Sequence, residues 1–105
     1  MKDLLNEVNA LTLKEYERAA KVNGDTFNSP HETYAVILEE FEEATENLEE
    51  FDDAFKAYWS CVKKNDRTSQ KDQLIYMHHY AISAAAEMIQ VAAMCHKALK
   101  GFEKP

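Results

Sequence analysis

Three polar side chains interrupt an otherwise apolar stretch, residues 81–95, which reads AISAAAEMIQVAAMC. Ser83, Glu87 and Gln90 are spaced i, i+4 and i+7, so a helix places all of them on one face. Because a helix that is apolar nearly all round is typically buried, we expect this polar stripe to be buried or to line a pocket. A buried carboxylate needs a base, a hydrogen-bond donor or a metal ion as its partner. Glu87 is therefore the first candidate for chemistry.

A second group of acids lies at Glu40 and Glu43, one helical turn apart in the segment VILEEFEE. Together with Glu87 these side chains would repel one another unless a divalent cation lay between them. Mg²⁺ prefers oxygen ligands and is usually held by a few carboxylates together with waters and substrate phosphates. We predict that Glu40, Glu43 and Glu87 are Mg²⁺ ligands. Gln90 is predicted as a weaker fourth ligand or as a group that orients the others.

The same acids have simpler explanations. Residues 32–53 are rich in acids and contain no Lys or Arg, and a run of this kind is usually a solvated helix face. For Glu40 and Glu43 taken alone, this is the more common case. For Glu87 the alternative is a core carboxylate that is hydrogen-bonded to Tyr, His or Lys. Sequence alone leaves both alternatives open.

Basic and imidazole side chains add weaker candidates. Lys14, Arg18 and Lys21 form a stripe at i, i+4 and i+7. Such a stripe either contacts substrate phosphates or balances nearby acids, and the second role is the more common. The adjacent pair His78 and His79 points to different sides of a helix, so it does not form a di-iron ligand set with the acids.

Helical patterns surround all of these residues. Apolar spacing predicts a first helix over residues 3–22, which Gly24 ends. The polar segment 65–69 predicts a loop, with Ser69 as the N-cap of a third helix. That helix continues until Gly101.

The second helix has the clearest start in the chain. Ser29 as N-cap, Pro30 at the first helical position and Glu32 three residues after the cap are a typical helix start, and the pattern runs to about residue 64. Two apolar rows repeat every seven residues along it: Tyr34, Phe41, Leu48, Phe55 and Val62, and then Ile37, Ala44, Phe51 and Tyr58. An a/d pattern held for four heptads indicates lengthwise packing against other helices.

These patterns predict an all-α fold, with a single domain over residues 1–105. The chain would have three helices, a long second one, and a helical bundle completed by oligomerisation. Only two Gly and two Pro are present, which disfavours many tight turns and hence many short strands. Three helices of unequal length bury little surface alone, so we expect a homodimer or homotetramer.

Charge and composition exclude several partners. The net charge of −7 argues against nucleic acid and against an anionic membrane surface. No long apolar run opens the chain, and residues 81–95 are too short to span a bilayer. Cys61 and Cys95 have no metal-binding spacing and are interpreted as reduced thiols. We therefore expect a cytoplasmic protein.

The segment FNSPHETYAVILEEFEE, residues 27–43, resembles the first half of MazG-like proteins, which belong to the all-α nucleoside triphosphate pyrophosphohydrolases. The hallmark of this family is E-E-x-x-E on one helix and E-x-x-D on a later one. Glu39, Glu40 and Glu43 match the first motif, and Glu87 matches the start of the second. The resemblance extends over residues 27–99. Gln90 stands where the family has Asp, and the gap between the two motifs is longer than usual.

The resemblance implies a function. A MazG-like enzyme hydrolyses a nucleoside triphosphate to the monophosphate and pyrophosphate, with Mg²⁺ as cofactor and a dimer or tetramer as the active form. Glu40, Glu43 and Glu87 would hold the metal, and Glu39 would orient or deprotonate the attacking water. The alternative implied by Gln90 is a catalytically degenerate member that binds a nucleotide or a protein partner. A third possibility is a purely structural helical bundle, such as a phage accessory module.

Overall fold

A computed structural model of the chain describes residues 1–103, and helices account for nearly all of them. Helix α1 spans Lys2–Asn23, α2 spans Pro30–Lys63 and α3 spans Arg67–Lys100, followed by a short 3-10 helix over Gly101–Glu103. Within this part of the chain there is no strand. The predicted all-α class with three helices is confirmed. None of the helices described there combines the length and the apolar character that a transmembrane span needs.

Two helix ends form as the sequence predicts. Gly24 follows α1 with φ of 86°, a backbone conformation that favours glycine, and its N–H donates to the carbonyl of Ala20. At the start of α2 the Ser29 hydroxyl accepts the N–H of Glu32 at 3.1 Å. The Glu32 carboxylate in turn accepts the N–H of Asn28. The loop between α1 and α2 is thus bounded by two local caps.

The start of α3 differs from the prediction. The helix begins at Arg67, and Asp66 is its N-cap. One Asp66 oxygen accepts the N–H of Ser69 at 3.1 Å, and the other accepts its hydroxyl at 2.7 Å. These two hydrogen bonds lower the pKa of Asp66. The prediction of Ser69 as cap was wrong because an upstream carboxylate accepts both donors and also stabilises the positive end of the helix dipole.

Contacts within the chain divide it into two compact units, and α2 and α3 each run unbroken through both. One unit contains Met1–Phe41 and the chain from Glu87 onward. Its buried residues are Ala93, Met94 and Lys97.

The other unit, Glu42–Ala86, is a helical hairpin formed by the second half of α2 and the first half of α3. Its buried residues are Ala44, Ala54 and Ala84. The side-chain amide of Gln70 also donates to the carbonyl of Cys61 near the turn of this hairpin.

The apolar surface of the chain is largely uncovered. Four of the five residues in the first heptad row of α2 are exposed, with Tyr34 at 69% and Leu48 at 52% of full accessibility, and Val62 is half-buried. The segment 81–95 is not buried all round, because Ile82 and Met88 are 58% and 43% exposed. The polar stripe that we expected to be buried is half-buried at Ser83, Glu87 and Gln90. Within residues 1–103 no large side chain is fully buried. A single chain covers only one side of each helix.

Candidate metal centre

Two helices bring three carboxylates together. Glu40 and Glu43 follow each other by one turn on α2, and Glu87 lies on α3. One carboxylate oxygen from each residue lies within 4.8 Å of the other two. Glu40 and Glu87 are half-buried, whereas Glu43 is exposed. The structure therefore brings together the same three acids that the sequence predicts as metal ligands.

The spacing on α2 follows from an uninterrupted helix. Residues three positions apart lie on one face with their Cβ atoms about 5–6 Å apart. No Pro or Gly occurs in α2 after Pro30, so nothing interrupts the helix between its cap and these acids. Glu40 and Glu43 therefore face the same direction whatever the rest of the chain does.

Glu87 has neither a hydrogen-bond donor nor a cation as a partner among the described residues. Within residues 1–103 no hydrogen bond and no ion pair involves its carboxylate. The bond to Tyr, His or Lys that the alternative requires is not present among residues 1–103. The neighbouring Glu40 is instead a like charge. Two carboxylates with oxygens at most 4.8 Å apart repel each other when both are ionised.

Gln90 lies one turn after Glu87 on α3 and contacts a residue that the sequence analysis missed. Its side-chain amide donates to a carboxylate oxygen of Glu15 on α1 at 2.8 Å. Glu15 also pairs with Arg18, one turn later on α1. The bond from Arg18, and secondarily that from Gln90, lowers the pKa of Glu15.

The sequence contained one signal for Glu15, namely its i, i+3 spacing from Arg18. That spacing predicts a local ion pair on α1. Contact with Gln90 is not predictable in this way, because the two residues are 75 positions apart.

The remaining predicted site residues lie outside the group of three acids. Glu39 is exposed and is not part of it. Lys14 and Lys21 are exposed on α1, and Arg18 is bonded to Glu15. None of these side chains belongs to the group of three carboxylates, and their roles stay predictions.

Comparison with known proteins adds no relative. No family model, no curated protein and no solved structure matches this chain.

The donor set suits a hard divalent cation. Three carboxylates offer only oxygen ligands, and Mg²⁺ accepts a few carboxylates while it keeps waters or phosphates in its other positions. Within residues 1–103 no other group of three His, Cys, Asp or Glu side chains converges in this way. A soft or imidazole-preferring metal fits poorly, because the group contains no His or Cys. The residues present are thus compatible with Mg²⁺.

Proposed function

We propose that this chain is a Mg²⁺-dependent nucleoside triphosphate pyrophosphohydrolase of the MazG-like type, releasing the monophosphate and pyrophosphate. The observation that carries the proposal is the convergence of Glu40, Glu43 and Glu87, with Glu87 lacking any hydrogen bond or ion pair within residues 1–103. A cation between the three acids would replace their mutual repulsion by attraction. The resemblance of residues 27–43 to the first MazG-like motif adds the choice of substrate class.

Each acid would have a distinct role. Glu40, Glu43 and Glu87 would hold the cation, and their helices would fix the spacing of the ligands. Bound Mg²⁺ would neutralise phosphate charge and lower the pKa of a coordinated water. Glu39 precedes the ligand Glu40 directly, and the family motif makes it the group that orients or deprotonates the attacking water.

Two measurements test the enzyme proposal. Purified protein is incubated with Mg²⁺ and a panel of nucleoside triphosphates, and pyrophosphate release is recorded. Thermal unfolding is followed in parallel with and without Mg²⁺. We expect pyrophosphate release from at least one triphosphate and a rise in melting temperature with Mg²⁺. No release, together with an unchanged melting temperature, would count decisively against the proposal.

Matched variants assign the effect to the three acids. Glu87→Gln and Glu40→Gln should abolish both the Mg²⁺-dependent stabilisation and turnover while the helical circular dichroism is kept. Glu42→Gln is the control, because Glu42 is exposed on the same helix and lies outside the group. Glu39→Gln should lose turnover but keep the response to Mg²⁺. An equal loss in Glu42→Gln would point to general acidity of the helix instead.

A catalytically degenerate protein that binds nucleotide or a protein partner is the second candidate. This candidate is favoured by Gln90, which stands where the family motif has Asp. The Gln90 side-chain amide donates a hydrogen bond to Glu15. Such a protein would bind Mg²⁺ and a non-hydrolysable triphosphate analogue without releasing pyrophosphate. Isothermal titration with that analogue distinguishes it from an enzyme and from a purely structural bundle, which would bind neither.

We also propose that the chain acts as a homodimer or homotetramer. The exposed heptad row of α2 supports this, since large apolar side chains repeat along it at helical spacing. Light scattering after size exclusion should give a multiple of the chain mass. Leu48→Glu should shift the protein towards monomer, and Glu49→Gln on the same helix should not. A monomer at all concentrations would contradict the proposal.

A further inference from the structure

Lys97 is a buried cation with no anionic partner among residues 1–103. Its side chain lies on α3, and only 5% of the residue is accessible. Within residues 1–103 no carboxylate pairs with its ammonium and no acceptor is hydrogen-bonded to it. Yet no fully enclosed side-chain nitrogen in this part of the chain lacks a hydrogen-bond partner. The ammonium therefore keeps a small opening to solvent.

The contact that Lys97 does make is with an aromatic ring. Its ammonium nitrogen lies 4.5 Å from the ring centroid of Phe27. A cation–π contact of this kind contributes about 0.5–2 kcal/mol. Complete removal of an ammonium from water costs several kcal/mol, which is more than this contact contributes. The opening limits that cost, and a negatively charged group placed there would stabilise the ammonium further.

A cleft shares Phe27 with this cation, although Lys97 itself is not one of the residues that line it. It has a volume of about 310 Å³, and we call it the Phe27 cleft. Its lining includes the ring against which the ammonium packs, and two residues that follow Lys97 by one and four positions on the chain, Ala98 and Gly101. Phe102 contributes a second ring, which is 87% exposed. The cleft is at the small end of the range for ligand pockets, large enough for about ten non-hydrogen atoms.

We propose that Lys97 and the Phe27 cleft form a binding site for a small organic acid that carries one carboxylate and an aromatic or apolar body. The carboxylate would pair with the ammonium, and the body would occupy the cleft between Phe27 and Phe102. One ammonium balances one negative charge. A phosphate dianion would leave an unbalanced charge beside apolar walls in a chain whose net charge is −7, so a monoanion is the better match.

Phenylacetate is a suitable probe, with 2-phenylethanol as its neutral counterpart and phenyl phosphate as the dianion. Protein labelled with ¹⁵N-glycine shows only two glycine amide signals, from Gly24 and Gly101. Gly101 lines the cleft and Gly24 does not. Gly101→Ala assigns the signals, because a Cβ at that position meets nothing within 4 Å. Titrations are done in EDTA, so that the carboxylate group on α2 and α3 holds no metal.

We expect phenylacetate to shift the Gly101 signal with a dissociation constant of about 1 mM or tighter, and to leave Gly24 in place. The alcohol and the phosphate should bind at least tenfold more weakly. Lys97→Met should lose phenylacetate binding at least tenfold and should unfold at a higher urea concentration, since an unpaired buried charge has been removed. Lys100→Met is the control, because that side chain lies on the same helix and pairs with Glu103.

Three results would overturn the inference. The first is wild-type protein whose Gly101 signal does not respond to phenylacetate. The second is equal loss of binding in Lys97→Met and Lys100→Met, which would indicate diffuse charge. The third is a dimer that only Lys97→Met dissociates, which would identify an acid of a second copy as the partner. Because the titration is metal-free, each result is independent of the proposed pyrophosphohydrolase activity.

Discussion

The side-chain amide of Gln90 donates a 2.8 Å hydrogen bond to the carboxylate of Glu15, and so connects α3 to α1 one turn after Glu87. The residue that replaces the family's Asp is therefore held by an acid from a different helix. An Asp at this position would face Glu15 as a like charge, whereas Gln donates to it. Glu15 and Gln90 thus form an acceptor–donor pair, and replacing one of them alone should change the free energy of unfolding.

Replacing Gln90 by Asp should make stability depend on metal. Without Mg²⁺ the new carboxylate repels Glu15 and the hydrogen bond is lost, so we expect Gln90→Asp to lower the free energy of unfolding by about 1–3 kcal/mol. With Mg²⁺ the added acid should tighten metal binding and recover much of the loss. Urea unfolding at several Mg²⁺ concentrations measures both effects.

The double variant Glu15→Gln with Gln90→Asp is the control for that experiment, since an amide and a carboxylate again face each other. In EDTA it should be more stable than Gln90→Asp and should fall short of the wild type only by the contribution of the Glu15–Arg18 ion pair, at most about 1 kcal/mol. Equal stability of Gln90→Asp and wild type without metal would show that the Glu15–Gln90 bond contributes little.

The lowered pKa of Glu15 predicts a dependence of stability on pH. A carboxylate with a lower pKa in the folded state stabilises the protein above its unfolded pKa, about 4.3 for Glu, and loses that contribution as the pH falls through the folded value. Wild type should therefore exceed Glu15→Gln in unfolding free energy at pH 7, by at most about 1 kcal/mol because the ion pair with Arg18 is near the surface. The difference should shrink as the pH falls below the unfolded pKa and vanish once the carboxylate is protonated in the folded state as well.

Urea unfolding between pH 3 and pH 7 measures this difference. Glu17→Gln is the control, because Glu17 is exposed on the same helix. Parallel pH profiles for wild type and Glu15→Gln would contradict the prediction.

Close helix packing at Ala93 predicts a penalty for a larger side chain. Ala93 has no accessible surface, while its neighbour Ala92 is exposed. Ala93→Leu should lower the free energy of unfolding by about 1–3 kcal/mol, because the added atoms have no space without displacement of a helix. Ala92→Leu introduces the same atoms into solvent and should change stability by less than about 0.5 kcal/mol. Chemical denaturation of both variants measures their free energies of unfolding. Equal values for the two variants would mean that a leucine side chain fits at position 93 without displacing a helix.

The N-cap of α2 predicts a loss of stability when Ser29 is replaced by Ala. Ser29→Ala removes the acceptor of the Glu32 N–H and should cost about 1 kcal/mol. Ser29→Asp restores an acceptor at the positive end of the helix and should keep or slightly raise stability. Melting temperatures of the two variants in the same buffer measure the difference. A melting temperature of Ser29→Ala equal to that of wild type would show that other contacts hold this helix start.

Local chemistry was sufficient to predict the helices and most of their ends. The heptad rows and helix formers predict α2, Ser29 and Glu32 mark its start, and Gly24 and Gly101 follow the ends of α1 and α3. Each of these helix features depends on residues within a few positions of one another, because local backbone geometry and hydrogen bonding decide where a helix begins and ends. The start of α3 shows the limit of this reasoning, because Asp66 and Ser69 both have side chains that cap helices.

The spacing of Glu40 and Glu43 was likewise set by the sequence, since any helix places residues three positions apart on one face. Only the tertiary structure decided that a carboxylate oxygen of Glu87 lies within 4.8 Å of oxygens of these two acids. The same is true of the hydrogen bond from the Gln90 amide to the Glu15 carboxylate and of the packing of Lys97 against the Phe27 ring. These contacts join residues far apart in the chain. They depend on which faces of two helices pack and in what register, and those are settled by the combined burial of many side chains rather than by any local pattern.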